Sequence, residues 1–420
     1  MRRQRLLQVI GPGILVAATG VGAGDLATAS LAGASLGLAV LWAVVVGAFL
    51  KFVLNEGLTR WQLATGTTLV EGCVTRLGQP VLWGFLAYLV VWSFLVAAAL
   101  MSAAGVTMHA ILPLAGDGPS AATTDKIIYG ALQSLIAITL VRWGGYRLFE
   151  KVMGAAIAVM FVTVVTTAIA MQPPWGEILR GIAVPTIPAG SASWIIAVMG
   201  GVGGTVTVLC YGYWIREEGR GDLADLTLCR WDLAMGYTMT AIFGLAMVVV
   251  GSSLGELEGG GATLMVRIAD RLVEIFGTAG PVAKWAFLAG AWGAVFSSML
   301  GVWQSVPYLF ADLWQLRTGG TSSKIDVRSR PYRACLYAIA TVPMLGLILF
   351  DFRSMQKVYA IVGALFIPML AAVLLVMNGR RDWVGERNRN PWWLVAVLAS
   401  ALAFFLLAGA IEIRDSWFNA

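Results

Sequence analysis

Charge is what this sequence has least of. Asp, Glu, Lys and Arg make up 12% of its 420 residues, about half the share of an ordinary soluble domain. A single histidine, His109, serves the whole chain. The four cysteines, Cys73, Cys210, Cys229 and Cys335, stand far apart without metal-ligand spacing, so buried free thiols are expected and no disulfide framework. Hydrophobic residues reach 59% with a mean hydropathy of +0.80, and a soluble fold this apolar could not cover itself with polar surface. Soluble enzymes, nucleic-acid binders and disulfide-rich secreted domains are excluded. The net charge of +6 is that of basic loops facing anionic lipid, not of a nucleic-acid surface. No His, Cys or carboxylate cluster sits at a membrane interface, so neither an integral-membrane enzyme nor a resident cofactor is expected.

What the sequence does have is long uncharged runs, among them Leu77–Gly116, Gly181–Ile215 and Pro391–Ile411. Each reaches the roughly 20 residues that a helix needs to cross the hydrocarbon core, and spans in lipid must pair their backbone internally as helices. The expected fold class is therefore an all-α integral membrane protein. Breaking the runs at charges and Gly/Pro clusters predicts eleven transmembrane helices: Leu7–Leu31, Leu36–Trp61, Val81–Ala110, Ile127–Trp143, Val152–Met171, Trp194–Trp214, Leu233–Gly251, Val282–Phe310, Ala334–Phe350, Gln356–Met377 and Pro391–Ile411. Met1-Arg-Arg-Gln-Arg5 before the first run has the look of a signal peptide but lacks a convincing cleavage site, and further spans follow at once. The longest loop, Gly251–Pro281, contains Gly259-Gly-Gly261 and an amphipathic stretch from Leu264 to Phe276.

Lys and Arg set the expected orientation. Twenty fall on the side of the N-terminus and of the connections that follow even-numbered spans, and eight on the other; the remaining one, Lys51, lies inside span 2. The expectation is a multi-pass protein of the cell membrane with a cytoplasmic N-terminus and an external C-terminus.

Two spans echo each other. Span 1 reads Ala17-Ala-Thr-Gly-Val-Gly-Ala-Gly-Asp25 and span 6 reads Val198-Met-Gly-Gly-Val-Gly-Gly-Thr205, each with Gly-Val-Gly-X at mid-span. Glycine costs up to about 1 kcal/mol per helical position relative to alanine, so such clusters favour local unwinding. Five helices separate them, which makes the two halves inverted. Paired glycine-interrupted spans in inverted halves mark the midplane site of many secondary transporters. Close helix packing of the small-xxx-small kind is the competing explanation.

Gly11-Pro-Gly13, Ala27-Thr28 and Ala32-Gly33 resemble the first span of the Nramp (natural resistance-associated macrophage protein) family of divalent metal transporters. Thr59-Arg-Trp-Gln-Leu-Ala-Thr-Gly66 is similar to that family's Ala-Arg-Leu-Gly-Ile-Ala-Thr-Gly, and Leu148-Phe-Glu-Lys-Val152 opens span 5 in its manner. The resemblance implies a LeuT-like fold with a 5+5 inverted repeat, discontinuous helices 1 and 6, and alternating access. Residues 1–172 would form the first five-helix repeat, 173–378 the second, and 379–420 the eleventh helix and C-terminus. The family's metal motifs do not carry over. Asp-Pro-Gly-Asn becomes Gly22-Ala23-Gly24-Asp25, and Met-Pro-His becomes approximately Thr207-Val208-Leu209. The acidic proton-relay positions of span 3 become approximately Leu95 and Ala98, and a glutamine of span 10 becomes Phe366. Proton coupling by the family's mechanism is therefore not expected.

The candidate substrate or metal-binding residues are Gly22, Gly24, Asp25, Thr28, Thr205 and Thr207. One carboxylate with backbone carbonyls and hydroxyls is a hard, oxygen-only set suited to Mg²⁺, Ca²⁺ or Mn²⁺; the structural alternative is Asp25 as a helix cap. Lys51, Tyr211 and Gln304 are candidates for lining or gating the site, with the interfacial aromatic belt the competing reading for Tyr211 and a hydrogen bond across helices the favoured one for Gln304. A charge in mid-membrane is a functional candidate by default, and Lys51 could pair with Asp25 in place of a metal, line an inner vestibule, or snorkel to the interface. Glu56 and Arg60, spaced i, i+4, read as a structural pair. The expected function is a secondary transporter of a divalent cation such as Mn²⁺ or Mg²⁺, the cation being substrate and not cofactor. The alternatives are a carrier of a non-metal solute whose site holds an Asp25–Lys51 pair, and a non-transporting membrane scaffold. The expected partners are an inorganic cation or small solute and the lipid bilayer, with no nucleic acid; the oligomeric state is not legible.

Overall fold

The structure is a computed structural model describing residues 11–418, apart from 117, 189, 255–260 and 320–324. The N-terminal arginines, the beginning of span 1, Gly259-Gly260 and Lys324 lie outside the described residues. Within them every regular element is a helix, as the demand for internal backbone pairing in lipid requires. Nine helical runs are long and apolar enough to cross a membrane among the described residues, or ten if Ile157–Ala170 and Trp175–Ala183, bent by 116°, count as one. The expected eleven spans are not all separate. Spans 1 and 2 join through a short 3-10 turn, Gly37–Val40, where Gly37 at φ 64° takes a left-handed conformation that side chains resist.

Four expected loops or spans differ. The connection between spans 4 and 5 is itself helical, so Pro119–Ala170 is one helical run; Gly144 and Gly145 weaken a helix there without ending it. Residues Gly261–Phe276 of the expected long loop form a helix that buries Leu264, Met265, Ile268, Ala269 and Leu272 along one face, the i, i+4 pattern of an amphipathic element. Spans 9 and 10 are each interrupted, the first between Arg330–Thr341 and Met344–Leu349 at Pro343, the second between Phe352–Ala364 and Phe366–Met377. Proline lacks the amide that would continue the ladder.

Burial ranks the spans. The most hydrophobic stretch of span 6, within Ala192–Glu217, is wholly buried, whereas that of span 11 is only 22% buried. Span 6 is thus enclosed by the bundle and span 11 lies at its periphery. Span 1 runs beside span 7 (Leu226–Ser252) through glycine contacts at both ends: a Cβ on Gly13 would stand 2.8 Å from the carbonyl carbon of Asp232, and one on Gly33 2.9 Å from Val248 Cα. Close backbone approach through small residues is how helices associate in lipid. The four cysteines are free, Cys335 only partly buried.

The remaining ionisable groups in the bundle are largely structural. His109 Nδ1 lies 2.7 Å from Asp125 Oδ2, which also accepts the Leu114 amide at 2.8 Å, clasping the turn after span 3. Glu56 accepts Arg230 Nη2 at 2.7 Å and faces Arg60 at 3.4 Å, while Arg60 donates to the carbonyls of Asn388 and Arg389.

Candidate cation cradle

The two glycine-rich segments meet in the centre of the bundle but are not alike. Span 6 breaks outright. Its helix Ala192–Gly201 ends, the chain turns through Gly203 and Gly204 at φ 75° and 79°, and a 3-10 turn Val206–Cys210 leads into Tyr211–Glu217. Span 1 stays helical and widens instead. Pro12–Gly20 passes into a π-helical stretch, Val21–Thr28, and then into Ala29–Leu36. The expected unwinding of span 1 is therefore corrected to a π segment, in which the Ala29 amide donates to Gly24 O. Such segments occur where a helix must accommodate a functional insertion.

The segments touch backbone to backbone. A Cβ on Gly20 would stand 2.6 Å from the carbonyl carbon of Gly203, and one on Gly24 2.6 Å from that of Gly201. A side chain at Gly20 or Gly24 would strike the backbone of span 6, and Gly203 takes a positive φ that side chains resist. Gly24 is thus a crossing point. Gly22 is likewise structural, its amide donating to Ser298 Oγ of span 8 at 2.7 Å.

Asp25 and Lys51 reach the open backbone of span 6 directly, and Asn55 through Tyr237. Asp25, wholly buried, accepts the Gly203 amide on Oδ1 at 3.3 Å, and its Oδ2 has no hydrogen-bond partner. Lys51, 1% exposed, donates from Nζ to Gly200 O at 2.5 Å and to Val202 O. The ammonium thus stands on carbonyls that the break has freed, within the field of Asp25 but without a direct ion pair. Asn55, one turn beyond Lys51, donates to Tyr237 OH at 3.1 Å and leaves its own Oδ1 unpartnered. Tyr237 in turn lies over Gly203. Thr28 packs against Gly201, Thr205 lies beside Tyr359, and Thr207 accepts from Thr19 Oγ1 at 3.3 Å.

Sequence reasoning placed Asp25 and Lys51 but missed Tyr237 and Tyr359. Their signal, a lone tyrosine within an apolar span, is shared with belt aromatics. Tyr211 and Gln304 stand elsewhere. Tyr211 OH donates to Asp232 Oδ2 at 2.9 Å, and the same oxygen takes Arg220 Nη1 at 3.1 Å and the Gly13 amide at 3.0 Å. This buried knot ties the start of span 1 to spans 6 and 7. Gln304 Oε1 accepts Trp214 Nε1 at 3.0 Å and lines a separate cavity.

Chemically, the centre is a set of buried oxygen acceptors: a carboxylate, an amide oxygen and two carbonyls, with an ammonium supplied by the chain itself. No group of three or more His, Cys, Asp or Glu residues is arranged to hold a metal among the described residues. Any cation bound here would be held chiefly by backbone and neutral oxygens.

The comparisons with known proteins agree with this architecture. The family model described as natural resistance-associated macrophage protein-like matches residues 13–413. The chain is 21% identical over 432 residues to the divalent metal cation transporter MntH of Klebsiella pneumoniae (strain 342), covering 97% of this chain and 96% of that one. Among solved structures, a mutant of the manganese transporter of Eremococcus coleocola superposes with a TM-score of 0.71 at 14% identity, over 96% of this chain and 86% of the other. MhsT in complex with L-phenylalanine superposes at 0.60 with 15% identity, over 96% and 98%. With a family match across almost the whole chain and a glycine crossing at the centre of a transporter fold, the chain belongs to the Nramp family of membrane transporters and is not an enzyme.

Proposed function

We propose that this protein carries a divalent metal cation across the cell membrane by alternating access, binding it in the oxygen cradle between spans 1 and 6, and that the ion enters by displacing Lys51. The observation that carries this reading is the set of buried acceptors at the crossing: Asp25 Oδ2 without a donor, and the Gly200 and Val202 carbonyls held only by an ammonium. Buried acceptors in such a place ask for a cation, and hard oxygen ligands suit Mn²⁺, Mg²⁺ or Ca²⁺. MntH and the Eremococcus manganese transporter carry metals by name, which supports the same substrate class.

Magnitude decides how ion and lysine relate. A divalent ion about 4 Å from an ammonium is repelled by about 8 kcal/mol at an effective dielectric constant near 20. They do not share the cradle. Lys51 serves as a tethered cation that neutralises Asp25 while the ion is elsewhere and swings away when it arrives. A carrier with such a stand-in needs no proton to return, and Leu95 and Ala98, both buried at the family's relay positions, offer none. Residues 1–172 and 173–378 act as the inverted halves, with the N-terminus on the cytoplasmic side by the excess of basic residues.

A second reading rests on the same lysine. If Lys51 never leaves the carbonyls, the substrate is a non-metal solute. Isothermal titration of the purified protein with Mn²⁺, Mg²⁺ and Ca²⁺, beside Lys51→Met, separates the two. Lys51→Met is expected to bind a divalent ion at least about tenfold more tightly than the parent. Absence of heat from every ion in both proteins transfers the assignment to the solute reading. In liposomes, metal uptake is expected without acidification of the lumen, read with a pH-sensitive dye. Acidification that tracks metal entry refutes the stand-in role, and absence of any flux favours a non-transporting scaffold.

A further inference from the structure

Independently of the cradle, a cavity of about 650 Å³ opens between the end of span 4, the second half of span 8 and the start of span 9. Arg142, Arg328 and Arg333 line it together with Tyr308, Tyr332 and Gln304. No carboxylate lines it among the described residues, and none of the three guanidinium groups enters a salt bridge among them. Glu217, the acid whose charge reaches Tyr308, is not part of the lining. Tyr332 is 4% exposed, its ring edge-on to Tyr308 at 5.4 Å, and neither hydroxyl makes a hydrogen bond among the described residues. Gln304 spends its Oε1 on Trp214, which directs its remaining polar capacity to donation from Nε2.

An excess of arginine on this side of the membrane needs no special cause. That rule asks only that basic residues lie in the connections, however. It does not explain three guanidinium groups, without a carboxylate partner among the described residues, lining one concavity together with buried tyrosine and glutamine. Arg142 is held there between aromatic rings, 5.6 Å from Tyr337 and 6.0 Å from Trp143. Trp143 is 75% exposed, as at the boundary between acyl chains and headgroups, so the cavity mouth lies where a lipid phosphate would be.

We propose that this cavity binds a phosphate-bearing anion, with Arg142, Arg328 and Arg333 taking its oxygens and Tyr308, Tyr332 and Gln304 donating beneath. Guanidinium forks match phosphate geometry and bind it by charge-assisted hydrogen bonds. Basic pockets between spans on this side of a membrane are recognised headgroup sites. Bound there, the anion bridges spans 4, 8 and 9. The same chemistry is offered by an anionic phospholipid headgroup and by a soluble phosphate, and the test separates them.

Full-length protein, delipidated in a neutral detergent, is titrated with phosphatidylglycerol, phosphatidylcholine and inorganic phosphate, reading saturable binding and the unfolding temperature. Phosphatidylglycerol is expected to bind and stabilise, and phosphatidylcholine not. Competition by phosphate at comparable concentration identifies a soluble ligand, and its failure to compete identifies lipid. Each of Arg328→Gln and Arg333→Gln is expected to weaken binding about fivefold, and the triple change including Arg142→Gln roughly 100-fold. A triple Arg→Lys variant, which keeps charge but loses the fork, should fall between. Equal binding of the two lipids with no effect of phosphate overturns the proposal, as does undiminished binding by the single variants. The singles, both at exposed positions, keep the test open if the triple variant misfolds.

Discussion

Asp25→Asn is expected to lose about 3–5 kcal/mol of stability, the range for leaving a buried charge uncompensated, and Asp25→Asn/Lys51→Met to regain most of it. The reason lies in what each change leaves behind. Without the carboxylate, the Lys51 ammonium keeps only the carbonyls of Gly200 and Val202 in a fully buried setting. Without the ammonium, Asp25 keeps only the Gly203 amide. Each single change strands a charge, whereas the double change strands none. Unfolding of all four proteins in one detergent gives a double-mutant cycle, in which groups sharing one field show coupling of 0.5–3 kcal/mol or more. Additive losses would mean that the two charges do not share the cradle, and the displacement mechanism would fall with that result. Metal binding by Asp25→Asn should be lost in either case.

Gly24→Ala is the second large effect. The new methyl would press on the carbonyl of Gly201, and no rotation of a flexible neighbour can relieve a clash with backbone. Overpacking a core typically costs 1–3 kcal/mol, and an immovable obstacle places this change at the upper end, about 3 kcal/mol. The crossing must widen, which also moves Asp25 away from Gly203. Gly84→Ala is the control, because a Cβ there meets nothing within 4 Å. It should be neutral, or stabilising by up to about 1 kcal/mol through helix propensity. The melting temperature of Gly24→Ala should therefore fall while that of Gly84→Ala holds or rises; a Gly24→Ala protein that melts and binds like its parent would contradict the crossing.

Much of the cradle is legible in the sequence. Glycine clusters in spans 1 and 6, one acid and one lysine in mid-membrane located the cradle, because such residues are costly in a helix or in lipid unless something uses them. The form of the span 1 irregularity was not readable. Its glycines pack against span 6 and span 8, so they serve approach more than unwinding, and the pattern is the same for both. The partners of Tyr211 and Gln304 were not readable for another reason: their depth was legible but their azimuth was not. Tyr211 turns to Asp232 and Gln304 to Trp214, partners from elements far away in sequence that spacing alone does not identify. The Pro119–Ala170 run defied a rule that treats paired glycines and charges as a loop, since helical hydrogen bonding tolerates both.

The knot at Asp232 bears on timing. A single carboxylate oxygen collects the Gly13 amide, the Tyr211 hydroxyl and an Arg220 nitrogen, so the root of span 1 cannot tilt away by degrees. Three donors released together make a latch with a threshold. In the alternating-access cycle proposed above, the dwell time with span 1 held would be set at this latch, well away from the cargo, and the carrier's pace could be retuned there without altering what it selects.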